Sequence, residues 1–429
     1  MRDSFSTCAV NLGAPDKALV YEFSHNAGKW RVRQSFSGAR LSSVVPQPQN
    51  EEFTVTPWKV EGKIDYERLK VLFGTSSLDE PLLERLRGVL GRPLHPLLER
   101  GIYFSHRDLP WVLDEYQRGN HFALYTGRGP SGDVHLGHLT PFEFCSYLQE
   151  RLHVDMWVQM TDDEKFLFKK DLALDEAHRL GMENLLDLLA PGFDPKRTHV
   201  LFDTISIRTL YPISLEVAKR VTFSTAKAVF GFAHQNNIGS IFYTAIQAAP
   251  AFLPSKLAGH PVPCLIPCGI DQDPHFRVAR DVAESLGYPK PALLHNILLP
   301  SLQGEGKMSS SDSAKDTAIF LRDSPSDVKR KLSNAFTGGR ATVAEQRRIG
   351  AVPEICSVWS MWRSRFAPNQ KEFDEITRTC RNGELLCGEC KLRLVPRVQN
   401  FLEEHKKRRE AVKAWLPNVI VDGPLEGKV

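Results

Sequence analysis

The sequence has no apolar run that approaches the roughly 20 residues of a membrane-spanning helix. Its N-terminus also lacks the apolar core segment of a secretory signal, so we expect a cytoplasmic protein with no membrane partner. The 42% hydrophobic and 25% charged residues are those of an ordinary globular chain, and no internal repeat is present. At 429 residues the chain is long enough for two or three domains.

A large excess of one charge is missing too, because 55 basic residues stand against 51 acidic ones. A net charge of +4 is too small to prove a nucleic-acid partner, so the distribution of charge says more than its sum. Basic residues are concentrated between Arg322 and Arg348 and again at 406–409. Each run alone is consistent with a solvated helix face as much as with a phosphate-binding surface.

Short apolar stretches alternate with helical patterns through the middle of the chain. Strands are predicted at 122–125, 154–159, 262–267 and 292–298. Helices are predicted at 141–152, 172–190, 215–229 and 276–286. This alternation predicts an α/β fold, a Rossmann-like parallel sheet wrapped by helices, whose ligands bind outside the carboxyl ends of the strands.

Composition divides the chain into four regions. Residues 1–50 mix polar residues and prolines with few apolar clusters, which predicts a poorly ordered extension with one short element near 18–23. We expect residues 51–120 to form an N-terminal helical subdomain packed on the core, and residues 121–321 to form the Rossmann-like domain. Residues 322–429 read as a helical domain that begins with a helix capped by Ser326.

Two short stretches about 170 residues apart carry the chemistry. The first, 127–138, is a glycine-rich turn leading into a helix that opens near His135, where free N–H groups suit a phosphate. The second, 307–311, offers one cation and three hydroxyls to a triphosphate. Alone, the first would be an ordinary helix cap and the second an exposed polar loop. Their occurrence together, in this order, favours a nucleotide site.

The two stretches resemble the HIGH and KMSKS signatures of class I aminoacyl-tRNA synthetases, with Leu136 in place of Ile and Ser310 in place of Lys. From about residue 53 to about residue 411 the chain is similar to tryptophanyl-tRNA synthetases of the eukaryotic cytoplasmic type. The similarity is carried by five further stretches, 104–108, 124–131, 159–165, 245–250 and 266–274.

This resemblance implies a homodimer that uses ATP with Mg²⁺ to activate L-tryptophan and then charges tRNA(Trp). The implied catalytic residues are Lys307, His135, His138, Ser309 and Ser311. ATP would be bound by Gly127, Gly129, Ser131, His135, Gly137, His138, Lys307 and Met308. Tyr125 and Gln159 would contact the indole, and the amino and carboxylate groups of tryptophan would be held by Glu164, Gln247 and Gln272.

In this family the helical domain reads the anticodon, and Arg340 is the residue expected to bind tRNA. After Arg340 the eukaryotic pattern continues with an Asp, whereas this chain has Ala341. The resemblance therefore leaves open how the anticodon is read.

Four of the eight cysteines have the spacing of a metal site. They are Cys356, Cys380, Cys387 and Cys390, with gaps of 23, 6 and 2 residues. Four thiolates with a closing C-x-x-C can hold Zn²⁺ or a [4Fe–4S] cluster, and some bacterial members of the family carry such a cluster at similar spacing. The eukaryotic members do not. Ordinary thiols, the usual state in a cytosolic protein, are therefore the favoured interpretation and a metal centre is the alternative.

Three rival functions remain to be separated. A tyrosyl-tRNA synthetase shares the signatures but would place a Tyr–Asp pair around the phenol, and no such pair lies near Gln159 in the sequence. A simple nucleotidyltransferase would need neither the second loop nor a helical domain. A catalytically silent interaction protein of the same fold would not need His135, His138 and Lys307 to be intact.

Overall fold

The structure is a computed structural model that describes residues 5–11, 18–26, 29–37, 54–55, 60–62, 64–304, 306–309, 312–423 and 425. Its strands are β1 Phe5–Asn11, β2 Ala18–Asn26, β3 Lys29–Ser37, β4 Thr54–Val55, β5 Val60–Glu61, β6 Ser76–Ser77, β7 Tyr103–Arg107, β8 Ala123–Arg128, β9 Asp155–Met160, β10 Thr198–Phe202, β11 Cys264–Gly269 and β12 Ala292–Asn296. Its first twelve α-helices are α1 Tyr66–Phe73, α2 Glu80–Leu90, α3 Pro96–Glu99, α4 Leu109–Gln117, α5 Leu136–Leu152, α6 Asp162–Phe168, α7 Leu174–Leu189, α8 Ile207–Ala218, α9 Phe223–Phe230, α10 Ile238–Ala248, α11 Leu253–Ala258 and α12 Asp273–Ala283. The remaining α-helices are α13 Pro325–Asn334, α14 Val343–Ile349, α15 Ser357–Met361, α16 Gln370–Arg381, α17 Cys387–Val412 and α18 Leu416–Val419.

A seven-stranded sheet in the order β10-β9-β8-β11-β12-β7-β6 forms the centre of the molecule. The first five strands of that order are parallel, and β7 and β6 extend one edge antiparallel. In chain order the parallel strands read 3-2-1-4-5, the arrangement of a Rossmann-type sheet with helices on both faces. β8 and β9 are buried along almost their whole length, as expected for strands covered on both faces. The predicted α/β fold is confirmed.

The sheet opens between β8 and β11, where the chain order of the strands reverses. These two strands pair only at Ala123–Cys264 and Leu124–Leu265, whereas β8 and β9 remain paired from Ala123 to Arg128. Beyond Leu124 the two strands diverge, and their carboxyl ends form the walls of a crevice. Crevices at such reversal points are where ligands of open α/β sheets bind.

The two N-terminal regions differ from the sequence expectations. Residues 51–120 contain the expected helices α1 and α2, capped by Asp65 and Asp79, but they also supply β6 and β7 to the central sheet. The boundary expected at residue 120 therefore falls inside one packed unit. Within residues 1–50, β1, β2 and β3 form an antiparallel sheet where we expected a poorly ordered extension with one short element.

The region after 321 is helical, as expected, but its first helix begins earlier than predicted. Ser324, not Ser326, is the N-cap, because its hydroxyl accepts from the backbone N–H of Asp327 and Pro325 occupies the first turn. The 26-residue helix α17 begins at Cys387 and continues through Pro396. No helix in the described part of the chain is long and apolar enough to cross a membrane.

The helical region is joined to the α/β core by reciprocal arginines. The buried Arg100, after α3, donates to the backbone carbonyls of Trp362, Arg363 and Ala367 at 2.9–3.3 Å. Arg363 in turn donates to the carbonyls of Arg100 and Gly101 at 2.8 and 3.1 Å. One apolar cluster continues from the sheet into α17, so the two regions share a core.

Candidate active site

A cavity of about 280 Å³ lies in the crevice, and residues of both sequence motifs line it. All the residues assigned to ATP are among its walls: Gly127, Gly129, Ser131, His135, Gly137, His138, Lys307 and Met308. The glycine-rich turn and the distant loop therefore face the same space. This arrangement was the expectation on which the nucleotide hypothesis depended.

Backbone hydrogen bonds explain how the two motifs meet. At the start of α5, the N–H of Leu136 donates to the carbonyl of Ile319 at 3.1 Å, beside a bridge between His135 and Phe320. At the other end of the loop, Met308 N–H donates to the carbonyl of Leu299 at 3.0 Å. The loop thus has both ends fixed beside the turn.

The two histidines are neutral imidazoles that point their Nε2 protons away from the helix. His135 Nδ1 accepts from the N–H of Gly137 at 3.1 Å, and His138 Nδ1 accepts from the N–H of His135 at 3.3 Å. Each ring must then carry its proton on Nε2. Burial, the nearby Arg128 guanidinium and the Lys307 ammonium hold the pKa of both rings well below 6.5. The rings stack with centroids 3.5 Å apart, a contact that two cations would not tolerate.

Two side chains of the cavity, His135 and Arg128, have a buried donor without an acceptor among the described residues. The Nε2 atom of His135 is buried and has no hydrogen-bond partner among the described residues, and His135 lines the cavity. A buried donor without a partner is costly unless a ligand oxygen satisfies it. Arg128 also lines the cavity with an unpartnered Nη1, and burial lowers its pKa to about 9, which leaves it charged at neutral pH.

Two glycines of the turn lie tightly against neighbouring side chains. A Cβ at Gly129 would collide with Lys165 Cε and Glu164 Oε2, and a Cβ at Gly137 would lie 3.0 Å from His135 Cε1. We expected these glycines to make room for a nucleotide. The structure shows that they first make room for the side chains that line the site.

Lys307 lines the same cavity as the histidines and is paired with a carboxylate. Its Nζ is 2.5 Å from Asp271 Oδ2, and Asp271 is itself buried after β11. The ammonium is one-third exposed, so it can exchange this partner for phosphate oxygens. Ser309 is described but is not among the cavity walls, and Ser311 lies outside the described residues.

Three of the five residues assigned to tryptophan line the cavity: Glu164, Gln247 and Gln272. Glu164 is buried, with Oε2 accepting from the Thr161 hydroxyl at 2.8 Å and Oε1 paired with Lys165 at 2.5 Å. Gln247 accepts a short hydrogen bond from the Tyr243 hydroxyl. A carboxylate and two amides on one wall suit an ammonium and a carboxylate of a ligand.

The other two, Tyr125 and Gln159, are described and fully buried but are not among the cavity walls. The Tyr125 hydroxyl donates to Gln159 Oε1 in a short hydrogen bond. Gln247 separates the pair from the cavity, because the Tyr125 hydroxyl lies 3.2 Å from its carbonyl and 3.4 Å from its Nε2. The indole slot that we expected at this pair is therefore closed by Gln247.

Arg340 and the four cysteines lie in the helical region. Arg340 is exposed, and its Nε donates to the carbonyl of Gly350 at 2.9 Å, which leaves the end of the guanidinium available. Other basic residues of the two runs are already paired: Lys331 with Asp323, and Arg409 with Glu183. The runs are therefore only partly available to a nucleic acid.

The structure does not support the metal hypothesis. Among the described residues, which include all four cysteines, no three His, Cys, Asp or Glu side chains are grouped to hold a metal ion. Two thiols have protein partners instead: Cys356 accepts from the Trp359 N–H, and Cys387 donates to Gln346. Burial raises the pKa of Cys390 to about 12 and that of Cys380 to about 11.

Several cavity residues were not assigned from the sequence. Arg128, Lys165 and Asp271 lie inside stretches that carried the resemblance, so their position beside assigned residues was a usable signal. Asn296 lies at the carboxyl end of β12, which the strand-end rule indicates. Tyr243 lies in the middle of α10, where nothing in the sequence distinguishes it from a core aromatic residue.

The chain matches known proteins over most of its length. Residues 117–403 match the family model of class I tRNA synthetases (W and Y). The chain is 46% identical to the tryptophan--tRNA ligase of Pyrobaculum calidifontis over 364 residues, 85% of this chain and 96% of that protein. It is 49% identical to the one of Thermococcus onnurineus over 366 residues, 85% of this chain and 93% of that protein. The structure of Plasmodium falciparum tryptophanyl-tRNA synthetase superimposes with a TM-score of 0.78 at 35% identity, covering 83% of this chain and 97% of that one.

Proposed function

Because this chain belongs to the class I tRNA synthetases and within them to the tryptophan--tRNA ligases, we propose that it activates L-tryptophan with ATP and transfers it to tRNA(Trp). The observation that carries the proposal is the single cavity lined by His135, His138 and Lys307. A catalytically silent protein would have no reason to keep a buried, unpartnered donor beside a cation. The product is charged tRNA for protein synthesis, and the location we propose is the cytoplasm.

Activation requires positioning more than acid–base chemistry. The tryptophan carboxylate attacks the α-phosphorus of ATP, the bond to the bridging oxygen breaks, and pyrophosphate leaves with the electron pair. The carboxylate is already a nucleophile, so no general base is needed and catalysis is charge stabilisation and orientation. The neutral His135 imidazole donates from Nε2 to a phosphate oxygen, while the Arg128 and Lys307 cations neutralise the developing charge.

Mg²⁺ accompanies ATP in this proposal, bound to phosphate oxygens and water more than to protein. The cavity carboxylates, Glu164 and Asp271, are each paired with a lysine, so the protein's own positive charges do most of the neutralisation. Lys307 exchanges Asp271 for the β- and γ-phosphates when ATP binds. Ser309 adds a hydroxyl donor from the same loop, and we assign the same role to Ser311.

Tryptophan is recognised at both ends. We assign its ammonium to Glu164 and its carboxylate to Gln247 and Gln272, and its indole N–H to the Tyr125–Gln159 pair. A buried acceptor for one N–H rejects side chains that lack the donor, because the acceptor would be left unpaired. This favours tryptophan over a side chain without a donor, such as that of phenylalanine. The phenol of tyrosine also carries a donor, but the Tyr–Asp pair expected around it is not found near Gln159 in the sequence.

The test is amino-acid-dependent exchange of pyrophosphate into ATP. We expect exchange with tryptophan and none above background with tyrosine, followed by charging of tRNA(Trp). Exchange with tyrosine alone would establish the sister enzyme, and exchange with neither would establish a silent protein.

The tRNA contact is assigned to the exposed face of the helical domain around Arg340. Replacing Arg340 with alanine removes a stacking or phosphate contact, and we expect the kcat/KM of charging to fall about tenfold. Tryptophan-dependent pyrophosphate exchange should be unchanged, because it needs no tRNA. The matched control is Arg118→Ala, an exposed arginine after α4, which should alter neither reaction. Equal loss in both reactions would show that Arg340 acts through the fold.

We also propose a homodimer, formed through the apolar surface around α8. Tyr211 and Leu215, one turn apart on α8, are each 46% exposed, and Ile238 on the neighbouring α10 is 86% exposed. Substitution of Leu215 by Glu places a charge in that surface, and light scattering should then record the mass of a monomer. Leu392→Glu is the control, since Leu392 is 69% exposed on α17 and its substitution should leave the dimer intact. A dimer in both variants would place the interface elsewhere.

A further inference from the structure

Behind the Tyr125–Gln159 pair lies a carboxyl group without a charged partner. Asp203, just after β10, is 1% exposed. Its Oδ1 accepts from Gln159 Nε2 at 2.7 Å. Its Oδ2 is buried and accepts no hydrogen bond from an N–H or O–H group of the described residues. No cation among those residues forms an ion pair with it. A carboxylate in such a place would be strongly destabilised, so the group is expected to be protonated.

A second carboxyl group, Asp163 on α6, receives that proton in a hydrogen bond. The contact between the Asp203 and Asp163 side chains raises the pKa of Asp203, and a hydrogen bond between them requires one of the two to be protonated. Burial raises the pKa of Asp203 well above 3.8 and that of Asp163 to about 6, and we place the shared proton on Asp203 because it is the more deeply buried of the two. The charges that face the pair are negative as well, from Asp162 and Glu164 on α6. Oδ2 of Asp203 is therefore a donor, which explains why no donor reaches it.

The chain of hydrogen bonds fixes the Gln159 amide in one orientation. Its NH₂ donates to Asp203 Oδ1, and its Oε1 accepts from Tyr125. A flipped amide would turn its oxygen toward the Asp203 oxygen and its NH₂ toward the slot. The slot would then present a donor to an indole N–H, which is itself a donor.

We propose that Asp203 is a positioning residue for tryptophan selection, which holds the Gln159 carbonyl toward the slot so that an indole N–H finds an acceptor. This inference rests on the proposed function. Asp203 has no contact with substrate and acts through Gln159. It acts as a neutral acid, so asparagine, which offers a carbonyl to Gln159 and an NH₂ to Asp163, reproduces both of its hydrogen bonds.

The experiment measures discrimination, not activity alone. Pyrophosphate exchange is compared for L-tryptophan and L-3-(benzothiophen-3-yl)alanine, in which sulfur replaces the N–H. We expect Asp203→Ala to lower kcat/KM for tryptophan by about 10- to 100-fold, the loss of one oriented buried hydrogen bond. The KM for ATP and the kcat/KM for the sulfur analogue should change less than about threefold. Asp203→Asn should keep the wild-type ratio of kcat/KM for tryptophan to kcat/KM for the sulfur analogue. The control Asp155→Ala, at the opposite end of β9, should keep it as well.

If Asp203 had a purely structural role, its substitution would lower kcat/KM equally for both substrates. An unchanged kcat/KM ratio in Asp203→Ala, with a wild-type enzyme that uses tryptophan, would overturn this inference alone. A wild-type enzyme that does not use tryptophan would overturn the proposed function with it. If Asp203→Ala does not fold, infrared spectroscopy of the wild type at pH 7 decides: a protonated-carboxyl stretch that disappears in Asp203→Asn is expected. Its absence from the wild type would overturn the neutral acid.

Discussion

Replacing Lys307 with alanine is expected to lower tryptophan-dependent pyrophosphate exchange by about 100- to 1,000-fold, the usual loss when one group that stabilises transition-state charge is removed. Lys307 lines the cavity beside the histidines, and its ammonium is 2.5 Å from Asp271. Its removal takes a positive charge from the phosphates and also leaves a buried carboxylate facing them. The loss should appear mainly in kcat, because the charge on the leaving pyrophosphate develops in the transition state.

Two companion variants make this result specific. Lys307→Arg keeps the charge on a larger, planar group, so an intermediate loss is expected. Lys315→Ala removes an exposed lysine from the turn that follows the loop and should leave the rate unchanged. Addition of Asp271→Asn to Lys307→Ala should recover part of the rate if the uncompensated carboxylate contributes. Full activity in Lys307→Ala would contradict the assignment of the loop.

Acid should destabilise the protein through its buried histidines. Burial lowers the pKa of His275 to about 3 and that of His95 to about 4, against 6.5 in an unfolded chain. Below pH 6.5 the unfolded state therefore binds more protons than the folded state. The stability gained by burying the neutral imidazoles is fully present above pH 6.5 and is lost as the pH falls. At pH 4.5 each of these histidines should lower the free energy of unfolding by about 2–3 kcal/mol relative to pH 7.5. This is a large part of the typical free energy of unfolding of about 5–15 kcal/mol.

Urea unfolding at pH 7.5 and 4.5 measures this difference. In His275→Gln the difference between the two pH values should shrink by about 2 kcal/mol, because glutamine does not titrate. The exposed His260 provides the control, and His260→Gln should leave the difference unchanged. Carboxylates contribute to acid unfolding as well, but equally in all three proteins. The raised pKa values of Asp163 and Asp203 act in the opposite direction, since those groups are protonated more readily in the folded state. An identical pH difference in the three proteins would contradict the prediction.

Four of the five parallel strands were predicted from short apolar runs, whereas β10, β7 and β6 were missed. β8, β9, β11 and β12 were predicted within a few residues because burial on both faces requires continuous apolar runs. β7 was missed because Ser105, His106 and Arg107 interrupt its pattern. Two of them have distant partners in the structure, since Ser105 contacts His295 at 3.1 Å and Arg107 pairs with Asp273. Periodicity does not reveal partners that are far away in sequence.

The features of the candidate site also fall into two groups, those that a sequence pattern indicates and those that depend on packing. Residues that belong to a motif, such as His135 and Lys307, were found because residue type and order carry the chemistry. The protonated state of Asp203 and the Lys307–Asp271 pair depend on neighbours from separate strands, so no local pattern indicates them. The position of the Gln247 side chain against Tyr125 likewise depends on packing, so no local pattern in the sequence indicates it.

The reciprocal bonds of Arg100 and Arg363 have a consequence for calorimetry. These guanidiniums hold main-chain oxygens of the opposite region, so neither region can lose its shape without releasing buried donors in the other. Such coupling predicts that the described regions melt as one cooperative unit, with a van't Hoff enthalpy close to the calorimetric value. Arg100→Met, which keeps the aliphatic stem without the donors, should separate the single endotherm into two.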